Sequence, residues 1–254
     1  MEKVIGGRLA AESLIERGVE YVFTLSGGHI TPIYQYLEGS PVKLFDTRHE
    51  QAAVFMAEAW ARMTRKPAVA MVTAGPGFTN ALSGIANSRL SNAPVVLIAG
   101  CVGLASAEKL DLQDMCQLPV VSPMVKKGWV CPVAERIPEF IDLAFRTAAG
   151  GRPGPVYLEL PCDVLNAAVV PERVKRLRSR LGSRPRDPAE ANEVLGMLAA
   201  ARSPVVVAGS GVWYANGEEA LTGFVERTGV PGFGPAREAA QERLPPLPLA
   251  GIAL

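Results

Sequence analysis

Apolar positions along the chain follow two rhythms. Short, mostly apolar runs at 21–25, 42–46, 68–73, 94–99 and 156–160 have the length and character of buried strands. Between them apolar residues recur at three- and four-residue intervals, as they do on one face of a helix. Leu9, Ala10, Leu14 and Ile15 mark such a face on a first helix, which Gly18 stops. Further helices are predicted over 32–37, where Pro32 suits the first turn, and over 51–63, with Ala53, Met56, Ala57 and Trp60 on one side. Two more are predicted over 78–90 and 137–149. The runs at 68–73 and 94–99 carry almost no polar residue, the pattern of strands covered on both faces. Strands and helices alternating in this way imply right-handed crossovers and a parallel sheet between helix layers. The predicted fold class is α/β, a three-layer αβα domain with a central parallel sheet over residues 1–170.

The pattern then changes. Over 171–187, Arg173, Lys175, Arg176, Arg178, Arg180, Arg184 and Arg186 cluster beside Gly182 and Pro185. In a chain of net charge +1 this run reads as an exposed basic linker rather than a nucleic-acid or membrane surface. A helix over 188–201, a strand over 204–208, the turn Gly209-Ser210-Gly211 and a helix over 218–227 follow. They predict the start of a second α/β domain at 188–232, and one such unit cannot bury its own faces. Residues from 232 onward offer neither a clear strand nor a convincing helix, and Pro245-Pro246-Leu247-Pro248 lies among them. The expectation is a truncated second domain with an atypical tail at 233–254.

Composition narrows the class without naming a function. A hydrophobic fraction of 48% and a charged fraction of 20% suit a soluble globular protein. The near-neutral balance argues against nucleic acid or an anionic membrane as main partner. No apolar run approaches a membrane span, and the N-terminus lacks the apolar core and cleavage site of an export signal, so a cytoplasmic setting is expected. Cys101, Cys116, Cys131 and Cys162 are too scattered for a metal knuckle or a CxxC pair and read as reduced, mostly packed thiols. No metal-ligating cluster is evident, and Asp111 and Asp114 read as solvent-facing loop carboxylates.

Candidate chemistry lies at the strand-to-helix junctions. Arg48-His49-Glu50 ends one strand, and Thr73-Ala74-Gly75-Pro76-Gly77-Phe78-Thr79-Asn80 ends the next. Both junctions would face the C-terminal edge of a parallel sheet, where open α/β folds bind ligands. Glycines let a ligand approach the backbone, and the following helix presents free N–H groups. Taken singly, each glycine turn is equally a tight βα connection, and Glu50 a solvated charge favoured by the helix dipole. Gly27-Gly28 repeats the theme after the first strand. Gly209-Ser210-Gly211 fails as a dinucleotide fingerprint, because the third glycine would fall at Tyr214.

Taken together and in order, these segments resemble the thiamine-diphosphate enzymes of the acetolactate synthase group, including its 2-hydroxyacyl-CoA lyase branch. The residues that carry the resemblance are Gly27-Gly28-His29, Arg48-His49-Glu50, Thr73 to Gly77 with Thr79-Asn80, Gln113, and Gly151-Arg152-Pro153-Gly154-Pro155-Val156 running to Glu159-Leu160-Pro161. They span a nearly complete pyrimidine-binding domain and the start of a central domain. The resemblance implies that Glu50 bonds N1′ of the cofactor's aminopyrimidine. A carboxyl group there favours the imino tautomer whose nitrogen removes the thiazolium C2 proton. Gly27, Gly28, Thr73, Gly75, Pro76, Gly77 and Asn80 would shape the cofactor pocket. His29 would lie at the substrate pocket, or be an ordinary loop histidine, and His49 would orient local structure. Gln113 would point toward the reacting carbon, although the family's Phe-Gln pair reads Leu112-Gln113 here.

The resemblance further implies a carbon–carbon lyase or ligase acting on 2-keto acids or 2-hydroxyacyl-CoA, and a homodimer for the full-length protein. Mg²⁺ would be held by a Gly-Asp-Gly segment of a later domain, which this sequence does not contain. FAD, present in some synthases of the group, is left open by the first βα unit. On this expectation the chain is a fragment, inactive by itself. Alternatives left open are the pyrimidine subunit of a split decarboxylase and a noncatalytic partner-binding module.

Overall fold

A computed structural model of the chain describes residues 3–176 and 187–234. The chain divides into two compact units, Met1–Leu181 and Gly182–Leu254. Most of the basic run and nearly all of the tail at 233–254 lie outside the described residues.

In the first unit, β1 (Val4–Ile5) leads into α1 (Gly6–Glu16), and Gly18 (φ 69°) turns the chain into β2 (Tyr21–Thr24). Then come α2 (Thr31–Leu37), β3 (Lys43–Asp46), α3 (Glu50–Thr64), β4 (Ala68–Val72), α4 (Pro76–Leu90) and β5 (Val95–Cys101). After α5 (Gln117–Val121) follow β6 (Gly128–Val130), α6 (Ile137–Ala149), β7 (Val156–Pro161), α7 (Cys162–Asn166) and β8 (Ala168–Val169). Six strands form one parallel sheet in the order β3-β2-β4-β5-β7-β6. The α/β, three-layer expectation holds.

Alternation along the strands builds two cores, one on each face. Val69 and Met71 of β4, with Val96 and Ile98 of β5, pack toward α1, α2 and α6 through Leu9, Leu14, Ile33 and Ile137. Ala68, Ala70 and Val72, with Val95 and Leu97, pack toward α3 and α4 through Ala53, Val54, Phe78 and Ile85. Both faces are thus covered, which is why these strands read as unbroken apolar runs.

The order of the strands places the site. The chain leaves β2 for β3 on one side, then crosses back over β2 to reach β4 on the other. The loops after β2 and β4 therefore diverge from neighbouring strands, opening a crevice at the sheet's C-terminal edge.

Several elements depart from the sequence reading. Met56 lies on the exposed flank of α3, whose buried face is Ala53, Val54, Ala57, Glu58 and Ala61. The stretch between β5 and α6 contains α5 and β6, which are too short and too mixed in polarity to show a period. After β7 the two residues of β8 pair antiparallel with β1, so 156–160 is not the last strand of this unit. Cys101 and Cys131 are packed, but Cys116 is exposed and Cys162 half-buried.

In the second unit, α8 (Pro188–Ala200) is capped by Asp187, which accepts the Ala189 N–H at 2.8 Å. The strand expected over 204–208 is β9 (Val206–Val207), followed by the unforeseen α9 (Ser210–Tyr214) and by α10 (Glu218–Thr228). Gly232–Phe233 forms β10, parallel to β9, where the sequence suggested no strand. Two-residue strands carry no local period, and only their pairing defines them.

Candidate functional site

Glu50 begins α3, where a carboxylate meets the positive end of the helix. Its N-terminal neighbour His49 caps the helix, with Nδ1 accepting the Gln51 N–H at 3.2 Å. Thr47 fixes the approach: its hydroxyl lies 3.1 Å from the Thr24 carbonyl of β2 and 3.0 Å from the His49 carbonyl. The junction is thereby tied to the neighbouring strand. Glu50 is 6% exposed.

One Glu50 oxygen, Oε2, accepts the Asn80 side-chain N–H at 2.9 Å. The other faces Gly77: a Cβ on that residue would fall 3.2 Å from Oε1 and 2.7 Å from Cγ2 of Thr73. Asn80 therefore acts here on the carboxylate itself, rather than standing apart as one more lining group. It lies in the second turn of α4, because that helix starts at Pro76 rather than Phe78.

The turn before α4 needs glycine for two reasons. Gly75 has φ 57° and ψ −114°, a conformation that side chains disfavour. A Cβ there would also lie 2.9 Å from Cβ of Gln113. Across the crevice, Gly27 approaches Thr73 so closely that a Cβ would lie 2.3 Å from the threonine Cβ. His29 follows, with Nδ1 3.3 Å from Thr73 Oγ1. Glu50, Asn80, Gly77, Thr73, Gly75, Gln113, Gly27 and His29 form one connected constellation, while Pro76 is exposed at the first turn of α4. Gly28 stands apart, exposed and with nothing within 4 Å of its notional Cβ.

On the far side of His29 is a cavity of about 190 Å³, lined also by Val102, Gly103, Asp111, Leu112 and Asp163. Asp111 faces solvent, and Asp114 is half-buried, with Oδ2 accepting the Leu110 N–H at 3.2 Å. Among the described residues no group of three or more His, Cys, Asp or Glu is placed to hold a metal ion. No helix among them is long and apolar enough to cross a membrane.

The sequence reading missed Gln117. Its Oε1 accepts the Gly75 N–H at 2.8 Å, which ties the glycine turn to α5. A lone glutamine before Leu-Pro-Val-Val carries no motif, and burial is its one signal.

Residues 5–120 match the family described as "Thiamine pyrophosphate enzyme, N-terminal TPP binding domain". The chain is 34% identical over 229 residues to acetolactate synthase large subunit IlvG of Mycobacterium tuberculosis, covering 89% of this chain and 41% of that protein. It is 36% identical over 237 residues to acetolactate synthase isozyme 3 large subunit of Escherichia coli, covering 91% and 41%. With the chloroplastic acetolactate synthase of Arabidopsis thaliana it shares 33% identity over 231 residues, covering 89% and 34%. The chain thus spans about two fifths or less of the length of these relatives. The domain that holds Glu50 and the glycine turns therefore belongs to the N-terminal domain family of the thiamine pyrophosphate enzymes, and the chain is similar to acetolactate synthases over about nine tenths of its length.

Proposed function

We propose that this chain supplies the pyrimidine side of a thiamine diphosphate site, in an enzyme that makes or breaks carbon–carbon bonds of 2-keto acids. The observation that carries the proposal is the buried Glu50 carboxylate at the sheet's C-terminal edge, with Oε2 held by Asn80 and Oε1 beside Gly77. Gly77 packs so closely on Thr73 and Glu50 that a single added carbon would crowd both, so backbone rather than a side chain borders the carboxylate there. A flat ring carrying hydrogen-bonding nitrogens suits a buried carboxylate bordered by glycine backbone better than a bulky or anionic group does. The residues present fit the cofactor's pyrimidine.

Thiamine diphosphate, when bound, supplies a nucleophilic thiazolium carbon that also stores an electron pair. Glu50 would hold a proton at a ring nitrogen through Oε1, while Asn80 keeps Oε2 occupied and the carboxyl plane fixed. Gly27, Thr73, Gly75 and Gly77 would form the walls, and their close packing would keep water from the shared proton. His29, between Thr73 and the 190 Å³ cavity, would contact the substrate from that cavity. Gln113, packed on Gly75, would form the wall nearest the reacting carbon. The described residues do not fit a Mg²⁺ site, so no step here uses that ion.

Exposed Leu44, Phe45, Phe55 and Met56 on β3 and α3 support assembly as a homodimer. Among substrates, 2-keto acids are preferred to 2-hydroxyacyl-CoA because the matched relatives are acetolactate synthases.

The test is deuterium exchange at C2 of thiamine diphosphate, catalysed by an enzyme that includes this chain. Glu50→Gln is expected to slow exchange by about 10²-fold or more, the scale of a lost positioned acid–base group. Unchanged exchange would refute the role. Turnover of pyruvate against a 2-hydroxyacyl-CoA then separates the two substrate classes.

A further inference from the structure

Behind the glycine turn lies a hydrogen-bonded chain that the chemistry above does not use. Gln117 opens α5 and is 1% exposed; Tyr157 is fully buried in β7, and Glu159 is buried two residues later on the same face of that strand. The Gln117 carboxamide connects the turn after β4 and the end of β5 to this pair. Its Oε1 accepts the Gly75 N–H at 2.8 Å, and its Nε2 donates to the Gly100 carbonyl and the Tyr157 hydroxyl at 3.0 Å each. The hydroxyl donates to Glu159 Oε2 at 2.7 Å.

Every direction in this chain is forced. The Gly75 N–H can only donate and the Gly100 carbonyl can only accept, so the amide has one orientation and both its N–H groups are used. Since the Tyr157 oxygen accepts the Gln117 N–H, its own O–H donates to Glu159. Burial, and then the adjacent Glu159 carboxylate, push the Tyr157 phenol well above its ordinary range, so the hydroxyl keeps that proton. An amide, a phenol and a carboxylate are costly to bury, and apolar residues of similar size would fill the same space more cheaply. Stability alone does not explain them.

Their end point does. Gly75 sits in a conformation with little intrinsic preference, so something other than its own torsions must hold it there. The turn it begins carries Gly77 against Thr73 and Glu50, and Gln113 packs on Gly75 itself. We propose that Gln117, Tyr157 and Glu159 form a positioning relay that pins the Gly75 amide and thereby sets the pocket wall beside Glu50. None of the three is a catalytic residue; each acts through Gly75. The consequence for cofactor binding rests on the thiamine reading above, whereas the relay does not.

Tyr157→Phe removes one oxygen and keeps the ring that packs on Phe78 with centroids 5.4 Å apart, so the fold is expected to persist. Amide hydrogen exchange of the whole chain, read by NMR, tests the relay directly. In Y157F the Gly75 amide is expected to exchange about 5–10-fold faster, the scale of one lost buried hydrogen bond, with β4 and β5 amides within about 2-fold of wild type. Gln117→Leu is expected to give a larger rise. Glu159→Gln, which retains an acceptor for the phenol, is expected to stay within about 2-fold of wild type. A second arm titrates thiamine diphosphate with Mg²⁺ and follows the amide shifts of Gly77 and Asn80; Y157F is expected to raise the Kd about 3–10-fold.

Unchanged Gly75 exchange in both Y157F and Q117L overturns the relay, and so does a uniform rise across the sheet, which reports lost stability alone. If the wild-type chain shows no shift at Gly77 or Asn80, the thiamine reading fails for this chain, and Gly75 exchange still decides the relay. Faster exchange with an unchanged Kd overturns the relay's hold on the pocket.

Discussion

A methyl group on Gly77 would lie 2.7 Å from Cγ2 of Thr73 and 3.2 Å from Oε1 of Glu50. Two opposing effects decide the outcome of Gly77→Ala. Alanine in a helix is worth about 1 kcal/mol over glycine, whereas overpacking a full site costs about 1–3 kcal/mol. The net stability loss is therefore expected to be at most about 2 kcal/mol, read by urea denaturation. Binding is expected to suffer far more, with thiamine diphosphate affinity falling at least about tenfold in calorimetric titration because the methyl displaces Thr73 or the Glu50 carboxylate that the ring must meet. An unchanged affinity would place the pyrimidine elsewhere. At this scale Glu50 was legible, because a carboxylate at a strand-to-helix junction between two glycine turns is a pattern. Gln117 was not, because what distinguishes it is burial among groups supplied by β5 and β7, and neither is near it in sequence.

The contact between α3 and α4 shows why elements settle as they do. Gly84 lets the helices approach until a Cβ there would meet Val54 Cβ at 2.6 Å. Beside that contact Glu58, 4% exposed, takes hydrogen bonds from α4 and its C-cap. Asn87 reaches both its oxygens at 2.9 and 2.8 Å, Ser88 donates at 3.1 Å and Ser91 at 2.7 Å. Glu58→Ala removes the acceptor shared by Asn87, Ser88 and Ser91, although Ser88 keeps the Gly84 carbonyl at 2.9 Å, and is expected to destabilise by about 1–3 kcal/mol in urea denaturation. Because α3 begins with Glu50 and α4 carries Asn80, the same clamp aligns the two ends of the Glu50–Asn80 bond. The long helices were visible from their periods. The placing of Met56 was not: the apolar stripe of α3 allowed two faces, and Gly84 and Glu58 chose between them. Strands of two or three residues offered no period at all.

For the whole first unit, acid sensitivity follows from how its ends are tied down. Arg176, just beyond β8, pairs with Glu12 and Glu16 of α1, and Arg8 also reaches Glu12. Partial burial works against ionising Glu12, but the two arginines outweigh it and hold its carboxyl below the usual value of 4.5. A depressed carboxyl contributes stability above its unfolded pKa and loses it as pH falls through the folded one. The denaturation midpoint is therefore expected to be nearly flat from pH 7 to 5.5 and to drop below about pH 4.5. Arg176→Ala is expected to cost under about 1 kcal/mol at pH 7, since the pair is partly solvated. The difference from wild type should shrink as pH falls below about 4.5 and vanish once Glu12 is protonated in the folded state, and a gap that persists in strong acid would assign the effect to lost packing.

The sequence by itself determined the α/β class, the long helices, the doubly buried strands and the glycine-rich junctions. These properties are written in local periods and local torsional freedom, which each segment carries alone. Only the tertiary structure decided which junctions meet. The crossing of β3 back over β2 put Gly27, Thr73 and Glu50 at one edge, and the packing of α3 on α4 gave Glu50 its Asn80 partner. Gln117, Tyr157 and Glu159 became a relay for the same reason: a hydrogen bond depends on distance in space, and segments far apart in the chain supply its two ends.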